Sequence, residues 1–183
     1  ALARNPMEAS AQAGIGRVLS MQRPGGAFGW WPGAEEDYVH GSVYAIEFLT
    51  EARRAQFDVP AEPLVRALDW AERMLDSGRE SHENRHTPVW HQVMREQAFA
   101  CSQLARNGRA RMDWQTRLWE LRAELDVPAR LHLARAWAAT GGRDRALELL
   151  AAASMPLRGA TVPTGFDRTL QSQWSERIPN RRY

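Results

Sequence analysis

His82-Glu83-Asn84-Arg85-His86 spells H-E-x-x-H, a spacing that on a helix sets two imidazoles on one face for a zinc ion, with the glutamate as general base. The surroundings do not supply that helix. Ser81, Asn84, Arg85 and Thr87 give no apolar stripe to bury, and Gly78 and Pro88 leave room for barely two turns. Glu96 or Glu120 would have to serve as a third ligand, and neither position is compelling. His82, Glu83 and His86 stand as metal candidates within a stretch that reads as a polar connection, and no cofactor is expected. His91, beside Trp90, reads as part of a helix start.

Nucleophilic chemistry finds less support. Cys101 lies among Ala98, Ala100, Leu104 and Ala105, with nothing nearby in sequence to lower its pKa, so it reads as a small core residue. There is no G-x-S-x-G and no Ser or Cys with an evident base. Glu35-Glu36-Asp37 precedes a helix, where acidic side chains favour the positive end of the helix dipole, and no second acidic cluster completes a catalytic pair. No catalytic residue is assigned, and the chain reads as a non-enzyme.

The stretch that organises the rest is Leu19-Ser20-Met21-Gln22-Arg23-Pro24-Gly25-Gly26-Ala27-Phe28-Gly29-Trp30-Trp31-Pro32-Gly33. Glycine and proline forbid regular structure, yet three large aromatics sit among them, so the loop is expected to pack. Ile15, Val18, Leu19 and Gln22 share one helix face, which places the Gln22 amide in the last turn, within reach of orphan backbone groups of its own or a neighbouring helix. Phe28, Trp30 and Trp31 then fold back over that end. A packed connection is the first reading of this loop, and an aromatic-lined ligand mouth the second.

Apolar periodicity and Pro/Gly breaks predict seven helices, over about 7–22, 38–56, 61–77, 89–106, 113–125, 128–140 and 143–154. Asp58-Val59-Pro60 and Asp126-Val127-Pro128 each break the chain and are expected to cap the helix that follows. Residues 78–88 and the Pro/Gly/Thr-rich stretch from Met155 read as loops, and no alternating strand pattern is strong. The class is all-α, built of helix hairpins, as either an α-solenoid or an α/α barrel.

Composition bounds the function classes. With 183 residues, 44% hydrophobic and 25% charged, the chain suits one globular domain. No apolar run is long enough to cross a membrane, so no direct membrane insertion is expected. Every basic residue is Arg, and clusters such as Arg106, Arg109 and Arg111 or Arg181 and Arg182 lack interleaved aromatics, which argues against nucleic acid as a partner. One Cys excludes an internal disulfide, and a start at Ala1 without Met or a signal pattern reads as a processed boundary.

The block Ile15 to Trp31, then Tyr38 to Ala52, then Phe57-Asp58-Val59-Pro60, closely resembles the thioester-domain region of bacterial alpha-2-macroglobulin-like proteins. The Leu19-x-Met21-Gln22-x-x-x-Gly26-x-Phe28 core is also similar to the glutamine-and-aromatic motif of terpenoid-cyclase-type α/α toroids. The likeness continues more weakly through Gln97-Ala98-Phe99 and the Ala139-to-Leu150 hairpin. It implies an α/α toroid, as a complete or an incomplete ring, with residues 1–183 as one helical domain taken from a larger periplasmic protease trap, with or without a membrane anchor on the parent chain. Its partners would be the other domains of that parent and target proteases.

In that family a Cys-x-Glu-Gln thioester lies upstream of the matched region. Cys101 is followed by Ser102-Gln103-Leu104, so no thioester residue carries over to this chain. An incomplete toroid would leave apolar helix faces open to self-association. Two other classes compete: a tetratricopeptide-like interaction module, suggested by the Trp137-to-Ala146 hairpin, and a terpenoid-cyclase-type enzyme. The second lacks the clustered carboxylates its chemistry needs.

Overall fold

Helices form where proline and glycine punctuate the sequence. A computed structural model describes residues 6–77, 85 and 87–154, and the described residues up to Ala153 belong to one compact unit. Seven helices lie among them: α1 Pro6–Ser20, α2 Val39–Arg54, α3 Ala61–Asp76, α4 Pro88–Arg106, α5 Met112–Glu120, α6 Val127–Ala139 and α7 Arg143–Ser154. Among the described residues the only β pairing is one isolated antiparallel bridge, Gln22 with Phe28. The all-α expectation holds.

The layering is toroid-type. Helices α2, α4 and α6 lie side by side, α3 packs against both α2 and α4, and α5 packs against both α4 and α6. Even-numbered helices thus form one layer and α3 and α5 lie over the seams between them. Helix α4 is the hub. Trp90, Met94 and every residue from Glu96 to Ala105 are buried, polar Gln97, Ser102 and Gln103 included. Its tightest partner is α6, and both helices bury several alanines, among them Ala98, Ala100, Ala134 and Ala136, which let helix axes approach closely.

Three helix ends fall short of the periodicity. Helix α2 stops at Arg54, before Gln56 takes φ 64. Helix α1 stops at Ser20, two residues short, because Met21 and Gln22 leave it to pair with the returning strand of the loop. Helix α5 stops at Glu120, where the chain turns through residues 121–124, yet Leu125 remains buried as the pattern required. The two Asp-Val-Pro tripeptides also behave differently. Asp126 caps α6, its Oδ1 accepting from the Ala129 amide at 3.0 Å, whereas α3 starts after Pro60 and has no side-chain cap.

Candidate functional site

The aromatic loop is built by its backbone first. Arg23 N donates to Ala27 O at 2.8 Å, and Gly26 N returns to Arg23 O at 2.9 Å, closing a tight turn. Gly26 has φ +93, in the region that L side chains avoid, and a Cβ there would lie 2.1 Å from the Arg66 carbonyl oxygen. The loop is therefore pressed directly onto α3. Phe28 N donates to Ser42 Oγ at 2.8 Å, the same hydroxyl lies 2.8 Å from Tyr38 O, and Tyr38 N donates to Phe28 O at 2.9 Å. These bonds satisfy the buried backbone at the point where Phe28 enters the core.

Gln22 clasps the turn from the other side. Its Nε2 donates to Pro63 O at 2.8 Å and to Gly26 O at 3.2 Å, and its Oε1 accepts from Arg66 Nη2 at 2.9 Å. The partners are a carbonyl and a guanidinium of α3. Arg73 Nη2 adds a bond to Gly25 O at 2.6 Å. Asp37 completes the frame by accepting from Arg23 and, at 3.2 Å, from Trp70 Nε1. From the sequence the acidic triplet is expected to serve the dipole of α2. The structure instead turns its last member toward the loop and α3, because Arg23 and Trp70 converge there and α2 carries no acidic residue in its first turn.

Of the three aromatics only Phe28 is enclosed, at 3% exposure. Trp30 and Trp31 are 62% and 64% exposed, which corrects the expectation that all three fold back over the end of α1. The reason is local: Trp30 lies flat on Tyr38, ring centroids 3.7 Å apart, and that stack holds it at the surface. Beneath it opens an apolar cleft of about 300 Å³, lined by Val18, Met21, Phe28, Trp30, Tyr38 and Tyr44, among others. The base of the loop is a packed connection, and its rim is an exposed pair of tryptophans beside an apolar cleft.

A second feature runs across the inner layer. The His132 ring of α6 stacks on Phe99 of α4 at 4.0 Å, Phe99 meets the edge of Tyr44 on α2 at 4.8 Å, and Tyr44 meets His40 at 4.8 Å. Burial pushes the His132 imidazole down to about 4, with Arg135 adding to the shift and Glu47 opposing it, and its Nδ1 is buried without a partner among the described residues. An ordinary histidine titrates near 6.5, so the unfolded chain takes up a proton that the folded chain refuses. Stability is therefore expected to be whole above about pH 6.5 and to decline by about 2–3 kcal/mol as pH falls to about 4. Urea unfolding of His132→Gln should lack that component of the pH slope.

Cys101 is fully buried, and burial, helped by Asp113 and opposed by Arg111, pushes its thiol up to about 12. It is not an activated nucleophile. A thiol reagent at pH 8 is expected to modify it only as fast as the fold opens, so adding denaturant should accelerate labelling by several orders of magnitude. His82, Glu83 and His86 lie outside the described residues. Among the described residues no group of three metal-type side chains gathers, and Arg85, inside the motif, pairs with Glu124 at 3.2 Å.

No family model matches the sequence, and no curated protein matches it. Solved structures do. Native Escherichia coli alpha-2-macroglobulin, in a crystal structure spanning domain MG7 to the C-terminus, matches with a TM-score of 0.70 and 28% identity over 80% of this chain and 23% of that one. Salmonella alpha-2-macroglobulin reacted with methylamine matches with a TM-score of 0.72 and 25% identity over 86% of this chain and 10% of that one. Trypsin-activated E. coli alpha-2-macroglobulin gives a TM-score of 0.68 and 25% identity over 83% and 12%. The chain thus spans between about a tenth and a quarter of the structures it matches, and in the first of them the match falls in the part from MG7 onward. By sequence and by fold, this chain resembles one all-α portion of bacterial alpha-2-macroglobulin.

Proposed function

We propose that the chain is a non-catalytic helical domain of an alpha-2-macroglobulin-like protease trap, and that it works by contact. The observation that carries this is the likeness to bacterial alpha-2-macroglobulin at 25–28% identity over about four fifths of the chain. Two features of the molecule agree with it. The one cysteine is buried and is followed by Ser102-Gln103-Leu104, which differs from the Cys-x-Glu-Gln of a thioester. The aromatic rim of the loop offers apolar surface of the kind that packs against a neighbouring domain. Residues 1–183 are then one helical domain of a longer periplasmic protein, and its partners are the other domains of that protein and the proteases it encounters.

The test uses the longer reading frame, extended upstream by about sixty codons, and the whole parent where it can be expressed. The parent mixed with trypsin is expected to abolish cleavage of casein while leaving cleavage of a small chromogenic peptide largely intact, because a caged protease still admits small substrates. Trypsin equally active on both substrates would sink the reading. Methylamine then separates the two forms of the trap. Release of one thiol indicates a covalent trap, and release of none a trap that holds its protease by shape alone.

A further inference from the structure

The C-terminal ends of the inner helices carry a cluster that the aromatic loop and the trap reading leave unused. Arg54 of α2, Arg106 of α4 and Arg135 of α6 line one pocket of about 430 Å³, with Ala105, Ala138 and Ala139 as its small-residue walls. Two carboxylates of α2 face these three guanidinium groups. Glu51 pairs with Arg106 and, at 3.5 Å, with Arg54, and Glu47 pairs with Arg135 and lies 3.6 Å from Arg106 Nη1. Arg54 Nη2 also donates to the Arg106 carbonyl at 2.8 Å, tying α2 to the end of α4. Three positive charges meet two negative ones.

The imbalance has an address. Arg106 is the most enclosed of the three, 15% exposed, and its Nη1 is buried with no hydrogen-bond partner among the described residues, since 3.6 Å is too long for one. A buried guanidinium nitrogen without an acceptor is costly, and the residue that carries it lines the pocket beside Arg54 and Arg135, whose guanidinium groups an incoming acceptor can reach. Arg54 and Arg135 stand at the surface, about half exposed, where their side chains can turn toward an incoming group.

We propose that this pocket binds a carboxylate from an acidic segment of a partner protein. A planar carboxylate matches the fork of a guanidinium, and Glu47 and Glu51 each meet two of these arginines through Oε1 alone, so no fork is closed by a paired carboxylate. The single uncompensated positive charge balances a monoanion, whereas a phosphate group, at about −1.5 to −2, would overfill it. The pocket opens between the ends of three helices, so a side chain on an extended segment reaches it without disturbing the core.

Fluorescence anisotropy of a labelled hexaglutamate peptide, with hexaglutamine as the neutral counterpart, tests the assignment on the 183-residue chain. Hexaglutamate is expected to bind saturably and hexaglutamine not to bind. Arg135→Gln should weaken binding on the order of tenfold, the loss of one charge-assisted hydrogen bond. Arg17→Gln removes the same charge from the exposed face of α1 and should leave binding unchanged. Glu51→Gln should tighten it several-fold by withdrawing a resident competitor, a gain that a damaged fold cannot produce. If Arg135→Gln does not fold, Arg54→Gln carries the same expectation. Equal weakening by Arg17→Gln, absence of saturable binding, or displacement of the peptide by sulfate at matched ionic strength would overturn the proposal.

Discussion

Phe28→Ala is expected to destabilise the chain by about 3–5 kcal/mol, which for a protein of this size lowers Tm on the order of 10 °C. Phe28 is the one aromatic of its loop that enters the core, and its backbone is fixed on both sides by Ser42 and Tyr38. Those bonds prevent the loop from sinking into the space the ring would vacate, so the cavity stays open and its cost is paid nearly in full. The ring also forms part of the apolar cleft, which would deepen in the variant. Trp31→Ala supplies the contrast. Its indole is mostly exposed, and its loss should move stability by no more than about 0.5 kcal/mol. Thermal unfolding of the two variants side by side distinguishes a loop with one anchor from a loop packed throughout, since equal shifts would contradict the single-anchor description.

Gly26→Ala should be the next most damaging single change, at about 2–5 kcal/mol. Two penalties coincide there: a left-handed backbone, costing an L residue about 1–2 kcal/mol, and an overpacked contact, costing about 1–3. The contact is with backbone, because the new methyl would fall 2.1 Å from the Arg66 carbonyl oxygen and 3.2 Å from Trp70 Cβ. A helix interior cannot yield as a flexible side chain would, so the loop must lift off α3 and strain the Gln22, Arg66 and Arg73 bonds that hold it. Gly25, with open space around its Cβ position, is the internal control. Gly25→Ala should stay within about 0.5 kcal/mol of the parent in denaturant titration. A variant at Gly26 no less stable than the one at Gly25 would refute the close approach.

Helix existence was legible because apolar spacing and Pro/Gly breaks act within one segment. What the sequence could not supply was anything decided by the rotation of one helix against another. Asp58-Val59-Pro60 and Asp126-Val127-Pro128 are the same tripeptide, yet α6 begins right after its Asp while α3 waits until after the Pro, so only Asp126 can cap. Gln22 is expected in the last turn of α1 and lies two residues beyond its end, and its partners Pro63 and Arg66 are more than forty residues away. Asp37 shows the same limit: its acidity suggested a helix dipole, and the distant Trp70 ring decided otherwise. Arg54, Arg106 and Arg135 are unremarkable singly, and they form a cluster because three helices end on one side. The family likeness reached further than local physics, since it transmits a tertiary arrangement along with a motif.

The alternation of inner and outer helices also governs the order in which the chain can shelter itself while it is being made. Helix α4 is wrapped by α2 and α3, which precede it, and by α5 and α6, which follow. A chain that emerges N-terminus first must therefore release roughly thirty more residues after α4 before α6 arrives to cover its remaining face. Through that interval the nascent protein presents an uncovered apolar flank to chaperones and to the cell's degradative machinery, and a message truncated before Val127 would leave it so permanently. Shelter for α4 is thus complete only once α6 has docked.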